Sequence, residues 1–166
     1  MLLKISGLLC SALSLILVLT GTLTDYWLVN FGSDLFHSGL WQKCTKNICT
    51  KVQSNGYIDA TRGFVIFSVS LLLFGMILSC LTFMKFHVGR VSASLAAAIL
   101  NGLSAIFLII GMSIYTANTS DGVLNNSLNY QWSFYLCWTA NLLLIISGIF
   151  HFLEHQTSPL PGYESV

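Results

Sequence analysis

The chain has 166 residues, of which 55% are hydrophobic and only 8% are charged, with a formal net charge of +1. A soluble domain carries roughly 25% charged residues, so this composition excludes an ordinary soluble globule. The near-neutral balance leaves no basic footprint for nucleic acid.

Four apolar runs account for the missing charge: Ile5–Thr24, Gly63–Met84, Val91–Thr116 and Trp132–Leu153. None contains Asp, Glu, Lys, Arg or His except His151 near the end of the last. About 20 helical residues cross a bilayer core. The expected fold is membrane all-α, a bundle of four transmembrane helices with a small antiparallel β-sheet formed mainly by the first loop. In chain order the expected segments are an N-terminus 1–4, helices 5–24, 62–84, 93–116 and 132–153, loops 25–61, 85–92 and 117–131, and a tail 154–166. The first run exceeds the apolar core of about 7–15 residues found in cleaved signals, so a retained helix is favoured over a removed leader.

Loop 25–61 is the one sizeable polar segment. DYWLVNF (25–31), SGLWQKC (38–44) and CTKVQ (49–53) are rich in aromatic and β-branched residues, as strands are. Cys44 and Cys49 flank a connector that suits a hairpin. If this loop is lumenal they read as a disulfide; a zinc site has little beyond His37 to add as a ligand. Trp27 is open to two readings, interfacial belt or sheet core, whereas Trp41 lies far enough from any span to favour the core. At the head of the second helix Asp59 suits an N-cap, with Arg62 three residues later on the same side.

Charge bias does not orient the bundle: Lys4, Lys85 and Arg90 lie on one side, and Lys43, Lys46, Lys51 and Arg62 on the other. The loop cysteines and two N-glycosylation sequons, at Asn118 and Asn125, place loops 25–61 and 117–131 outside or in a lumen. Both termini are then cytosolic.

Within the spans, Ser94, Ala98 and Gly102 recur at four-residue spacing, which lets helices approach closely. Asn101 and Asn141 are the conspicuous mid-span polar residues, each read as making an interhelical hydrogen bond rather than lining a pathway. Transporters place ionisable groups deep in the membrane, and the centres of these spans hold none. His151 and His155 read as an interfacial helix end. No metal, cofactor or catalytic motif is expected, so the chain is read as a non-enzyme.

The order Trp27, Gly39-Leu40-Trp41, Cys44, Cys49, then Arg62 before three further spans resembles the signature of the claudin, peripheral myelin protein, epithelial membrane protein and lens fibre intrinsic protein superfamily. The resemblance covers nearly the whole chain. It implies a left-handed four-helix bundle, a disulfide between Cys44 and Cys49, and a Trp41 that anchors the sheet to the bundle. HSGLW (37–41), IYTA (114–117), WSFYLCW (132–138) and PGYESV (161–166) are most similar to a branch of that family found in cytotoxic granule membranes and implicated in exocytosis.

The tail ends Gly162-Tyr163-Glu164-Ser165-Val166. This resembles the glycine-tyrosine signal by which clathrin adaptors select lysosomal membrane proteins. An extended peptide can add as a strand to the adaptor while Tyr163 and Val166 fill pockets; a PDZ ligand is the rival reading. The leading expectation is a granule or endosome tetraspan, also passing through the plasma membrane. It would act in trafficking or exocytosis through the lipid bilayer, other membrane proteins in cis, a clathrin adaptor and a homo-oligomer. A claudin-like adhesion or barrier protein, and a channel or channel subunit, are the alternatives.

Overall fold

A computed structural model describes residues 1–30, 35–46, 48–84, 87–88, 91–125 and 127–157. Four helices long and apolar enough to cross a membrane run through it: α1 (Leu2–Leu23), α2 (Gly56–Leu81, continued by a 3-10 turn over Thr82–Met84), α3 (Ala93–Leu124) and α4 (Trp132–Thr157). In lipid every backbone N–H and C=O must be satisfied within the chain, which a helix does by itself.

The side-chain pattern is that of a membrane bundle. α1 turns Gly7, Ser11, Ser14, Val18 and Gly21 inward, while Leu9, Leu13, Ile16 and Leu23 face outward. Lipid solvates large apolar groups as well as the interior does, so small residues collect where helices meet. α1 packs chiefly on α4, α2 on α3, and α3 on α4; of the four neighbouring pairs, α1 and α2 meet least. Leu72, Leu108 and Leu144 are fully buried at the centre.

At Gly21 α1 lies tight against α4. A side-chain carbon there would lie 2.7 Å from both Cys137 Sγ and the Ser133 carbonyl oxygen. Gly21→Val is expected to lower unfolding stability in mixed micelles by about 1–3 kcal/mol, the usual cost of overpacking. An unchanged unfolding curve would contradict this packing.

The loops build a five-stranded antiparallel sheet: β1 (Leu28–Asn30), β2 (Phe36–Ser38), β3 (Gln42–Thr45), β4 (Ile48–Lys51) and β7 (Asn129–Tyr130), in the order β4-β3-β2-β1-β7. The first loop supplies most of the sheet as expected, in four strands where the sequence shows three strand-like segments. The fifth comes from the connection between α3 and α4, with Leu28 opposite Tyr130 and Val29 opposite Asn129. A two-residue hairpin of β5 (His87–Val88) and β6 (Val91–Ser92) sits at the opposite, tail end of the bundle.

All four helices outrun their apolar runs, α2 and α3 at the cap end. α2 begins at Gly56 rather than near Arg62, so Asp59 lies inside its first turn and Asn55 is the N-cap residue. The extra turn is held by Ile58, buried in the core. α3 continues to Leu124, because Thr119 is buried and shares a 2.9 Å hydrogen bond with the Tyr130 hydroxyl. Asn118 therefore sits on an exposed helical turn and donates to the Ile114 carbonyl at 2.8 Å. Asn125 is the exposed C-cap residue.

Candidate functional site

The sheet forms a cap seated on one end of the bundle, and three side chains fix it there. Trp27 follows α1 directly, is fully buried and donates its indole N–H to the Gly21 carbonyl at 2.6 Å. Its ring meets Tyr115 of α3 edge-on at 4.8 Å and Phe134 of α4 at 6.1 Å. It is a core residue at the joint of three helices, so the belt reading of Trp27 does not hold. Leu40 is likewise fully buried. Gly39 beside it has no room for a side chain: an added carbon would lie 2.6 Å from Asp25 Cα and 2.7 Å from the Thr24 carbonyl oxygen.

Arg62 is the third anchor. Its Nε and Nη2 donate to the Leu40 carbonyl at 3.0 and 2.9 Å, and Nη2 also reaches the Val52 carbonyl at 3.3 Å. Nη1 pairs with Asp59 at 2.9 Å. The guanidinium lies 5.1 Å from the centroid of the half-buried Trp41 ring, a cation–π contact. One side chain at the head of α2 thus ties together the carbonyls on both sides of β3 and β4. A planar fork with five donors suits this task in a way a lysine does not. Cys44 and Cys49 sit directly opposite each other across β3 and β4 and are disulfide-bonded. Cys44 faces in and Cys49 faces out.

The bundle interior is polar at chosen points. Asn101 Nδ2 donates to Ser11 and Ser147, both at 3.0 Å, joining α3 to α1 and α4. The Ser147 hydroxyl donates on to the Gly7 carbonyl at 2.9 Å. Asn101 Oδ1 faces Gly75 of α2, where an added carbon would lie 2.5 Å from it. Asn101 therefore touches all three other helices. Asn141 differs from expectation: it is buried, yet its Oδ1 has no hydrogen-bond partner among the described residues. Asn101 Oδ1 likewise has no hydrogen-bond partner among the described residues, but its Nδ2 bonds to two other helices. Ala98 and Gly102 line the α3–α4 seam, where a carbon added at Gly148 would lie 3.5 Å from the Ala98 carbonyl oxygen.

Ser94 leads into a second cluster at the tail end. Its hydroxyl donates to the His151 carbonyl at 2.7 Å and contacts the Glu154 carboxylate. Glu154 is almost fully buried and pairs with Lys4 at 3.2 Å. Lys4 also donates to the Thr82 carbonyl at 2.9 Å. His151 is fully buried within the bundle. Its ring lies over Gly7, and Nε2 is 2.9 Å from the Ser79 hydroxyl. Because that hydroxyl donates to the Gly75 carbonyl at 2.8 Å, the imidazole Nε2 is the donor to Ser79. The sequence signal for this cluster was thin. Lys4 and Glu154 lie at opposite ends of the chain, and only the pairing of α1 with α4 brings them together. Gly162, Tyr163 and Val166 lie outside the described residues.

The family model described as PMP-22/EMP/MP20/Claudin matches residues 1–151. Among curated proteins the chain is similar to human lens fiber membrane intrinsic protein, 30% identical over 155 residues and covering 90% of each chain. It is also similar to human Protein NKG7, 32% identical over 168 residues and 96% of each chain. Mouse claudin domain-containing protein 2 is 29% identical over 150 residues, covering 88% of this chain and 83% of that protein.

Proposed function

We propose, since this chain belongs to the PMP-22/EMP/MP20/Claudin family, that it is a non-enzymatic tetraspan of lysosome-related granules or endosomes. It works by contact with other membrane proteins and supports granule trafficking or release. The reading rests above all on the terminal Gly162-Tyr163-x-x-Val166, a short peptide that an adaptor can bind as an added strand. Similarity to Protein NKG7 across 96% of the chain supports this branch. The tightly packed interior, with Leu72, Leu108, Leu144 and Met112 fully buried, favours contact over conduction. In this reading the cap faces the lumen, both termini face the cytosol, and Asn118 and Asn125 lie on the lumenal side.

The test is imaging of the tagged full chain in granule-bearing cells. Tyr163→Ala is expected to shift most of the protein from granules to the cell surface, with the amount of protein unchanged. Unaltered granule localisation would overturn the sorting role.

A second reading, adhesion at the cell surface through the cap, is favoured by Leu35 and Ile48, which are 68% and 71% exposed at the tip of the sheet. It predicts that cells displaying the protein aggregate, and that Ile48→Glu abolishes the aggregation.

A further inference from the structure

α2 and α3 leave a slot on the lipid-facing side of the bundle, about 500 Å3 in volume, directly below the cap. Its floor is Gly63, which has no atom within 4 Å of where a side-chain carbon would stand. Its walls are Ala60, Phe64, Phe67 and Phe107. Phe107 stacks near-parallel on Phe64 and edge-on against Phe67, at 6.1 and 4.7 Å. The walls are therefore fixed by each other, and the slot is not closed by their collapse.

Two further observations identify what fills it. The first is depth. On α2 the lining runs from Ala60 to Phe67, about 10 Å along the helix, with Asp59 just above it. Half a bilayer core is about 15 Å, so the slot fits within one leaflet and stops short of the midplane. The second is charge. At the mouth, the Asp59 carboxylate is 48% exposed, with one oxygen 2.9 Å from the Arg62 guanidinium and the other accepting from the Ser54 hydroxyl, which leaves their outer lone pairs open to a headgroup. A negative and a positive group side by side, at the level where a span leaves the hydrocarbon, complement a headgroup carrying a quaternary or primary ammonium next to a phosphate.

We propose that this slot is a binding site for a single zwitterionic phospholipid, a phosphatidylcholine or phosphatidylethanolamine. One acyl chain lies over Gly63 between the phenylalanines, and the ammonium sits on Asp59. Gly63 is the residue that keeps the slot open, and Asp59 is the residue that selects the headgroup. The site is independent of the compartment the protein occupies, because it needs only the leaflet that Asp59 faces.

The experiment is native mass spectrometry of the purified full chain given equal amounts of phosphatidylcholine and phosphatidylglycerol with identical acyl chains. The wild-type protein is expected to retain one phosphatidylcholine with about 3-fold preference, the scale of an exposed ion pair. Asp59→Asn is expected to erase the preference while a lipid is still retained. Gly63→Leu fills the slot from open space and is expected to lose bound lipid of both kinds, with helix content and the disulfide unchanged. Equal retention of the two lipids by the wild-type protein, or wild-type retention by Gly63→Leu, would overturn the proposal. Should Gly63→Leu fail to fold, the Asp59→Asn comparison decides alone.

Discussion

Arg62→Leu is expected to release the cap from the bundle. The Leu40 and Val52 carbonyls lose their donors together, and the Trp41 ring loses the cation above it. A buried acceptor left without a donor costs about 1–3 kcal/mol, and the ring contact adds about 1. The combined loss is about 2–4 kcal/mol and is local to the sheet. Limited proteolysis should then cut within residues 25–55 while the helical circular dichroism of the bundle stays at the wild-type level. Arg62→Lys should recover only part of the protection, since one ammonium cannot serve both carbonyls and the ring. A cap as resistant in Arg62→Leu as in the wild-type protein would show that the disulfide and Trp27 hold it unaided.

The second large effect is expected at the other end. Glu154→Leu leaves Lys4 without its counter-ion inside the bundle. Breaking a buried pair from one side costs about 3–5 kcal/mol when both groups are fully buried. Lys4 keeps some exposure, so about 2–4 kcal/mol is expected in SDS-induced unfolding of the purified protein. The double variant Lys4→Met, Glu154→Leu should regain most of that loss, because an apolar pair leaves no isolated charge. Equal destabilisation in the single and double variants would mean that Glu154 acts through Ser94 rather than through Lys4.

These two sites differ in how far the sequence discloses them. Arg62 stands beside the Gly39-Leu40-Trp41 and cysteine signature, and its reach toward loop carbonyls follows from its position at a helix entry. The spans are equally open to reading, because a lipid-facing helix must be apolar for about 20 residues. Lys4 and Glu154 carry no such mark: each is a single charge near a span end, and their partnership depends on which helices are neighbours. β7 was hidden for a different reason. Asn129 and Tyr130 form too short a strand to show any alternation, and they become one only because β1 offers them an edge. Asp59 shows the limit of local capping rules. It is an acceptable cap residue, yet buried Ile58 draws the helix start back to Gly56. Trp27 could not be settled locally either, since an indole serves a membrane interface and a core equally well and only the fold supplies Tyr115 and Phe134 around it.

The late arrival of β7 has a consequence for biosynthesis. Its partner β1 is made before the second span, whereas β7 emerges only after the third, roughly 100 residues later; at about 5–20 residues per second the wait is about 5–20 s. During that interval the nascent sheet has a bare edge at Leu28 and Val29, open to pairing with any other extended strand. Synthesis of the connection before the fourth helix therefore ends a window of vulnerability to chaperone capture or aggregation, and a ribosome stalled short of residue 129 would leave that window open.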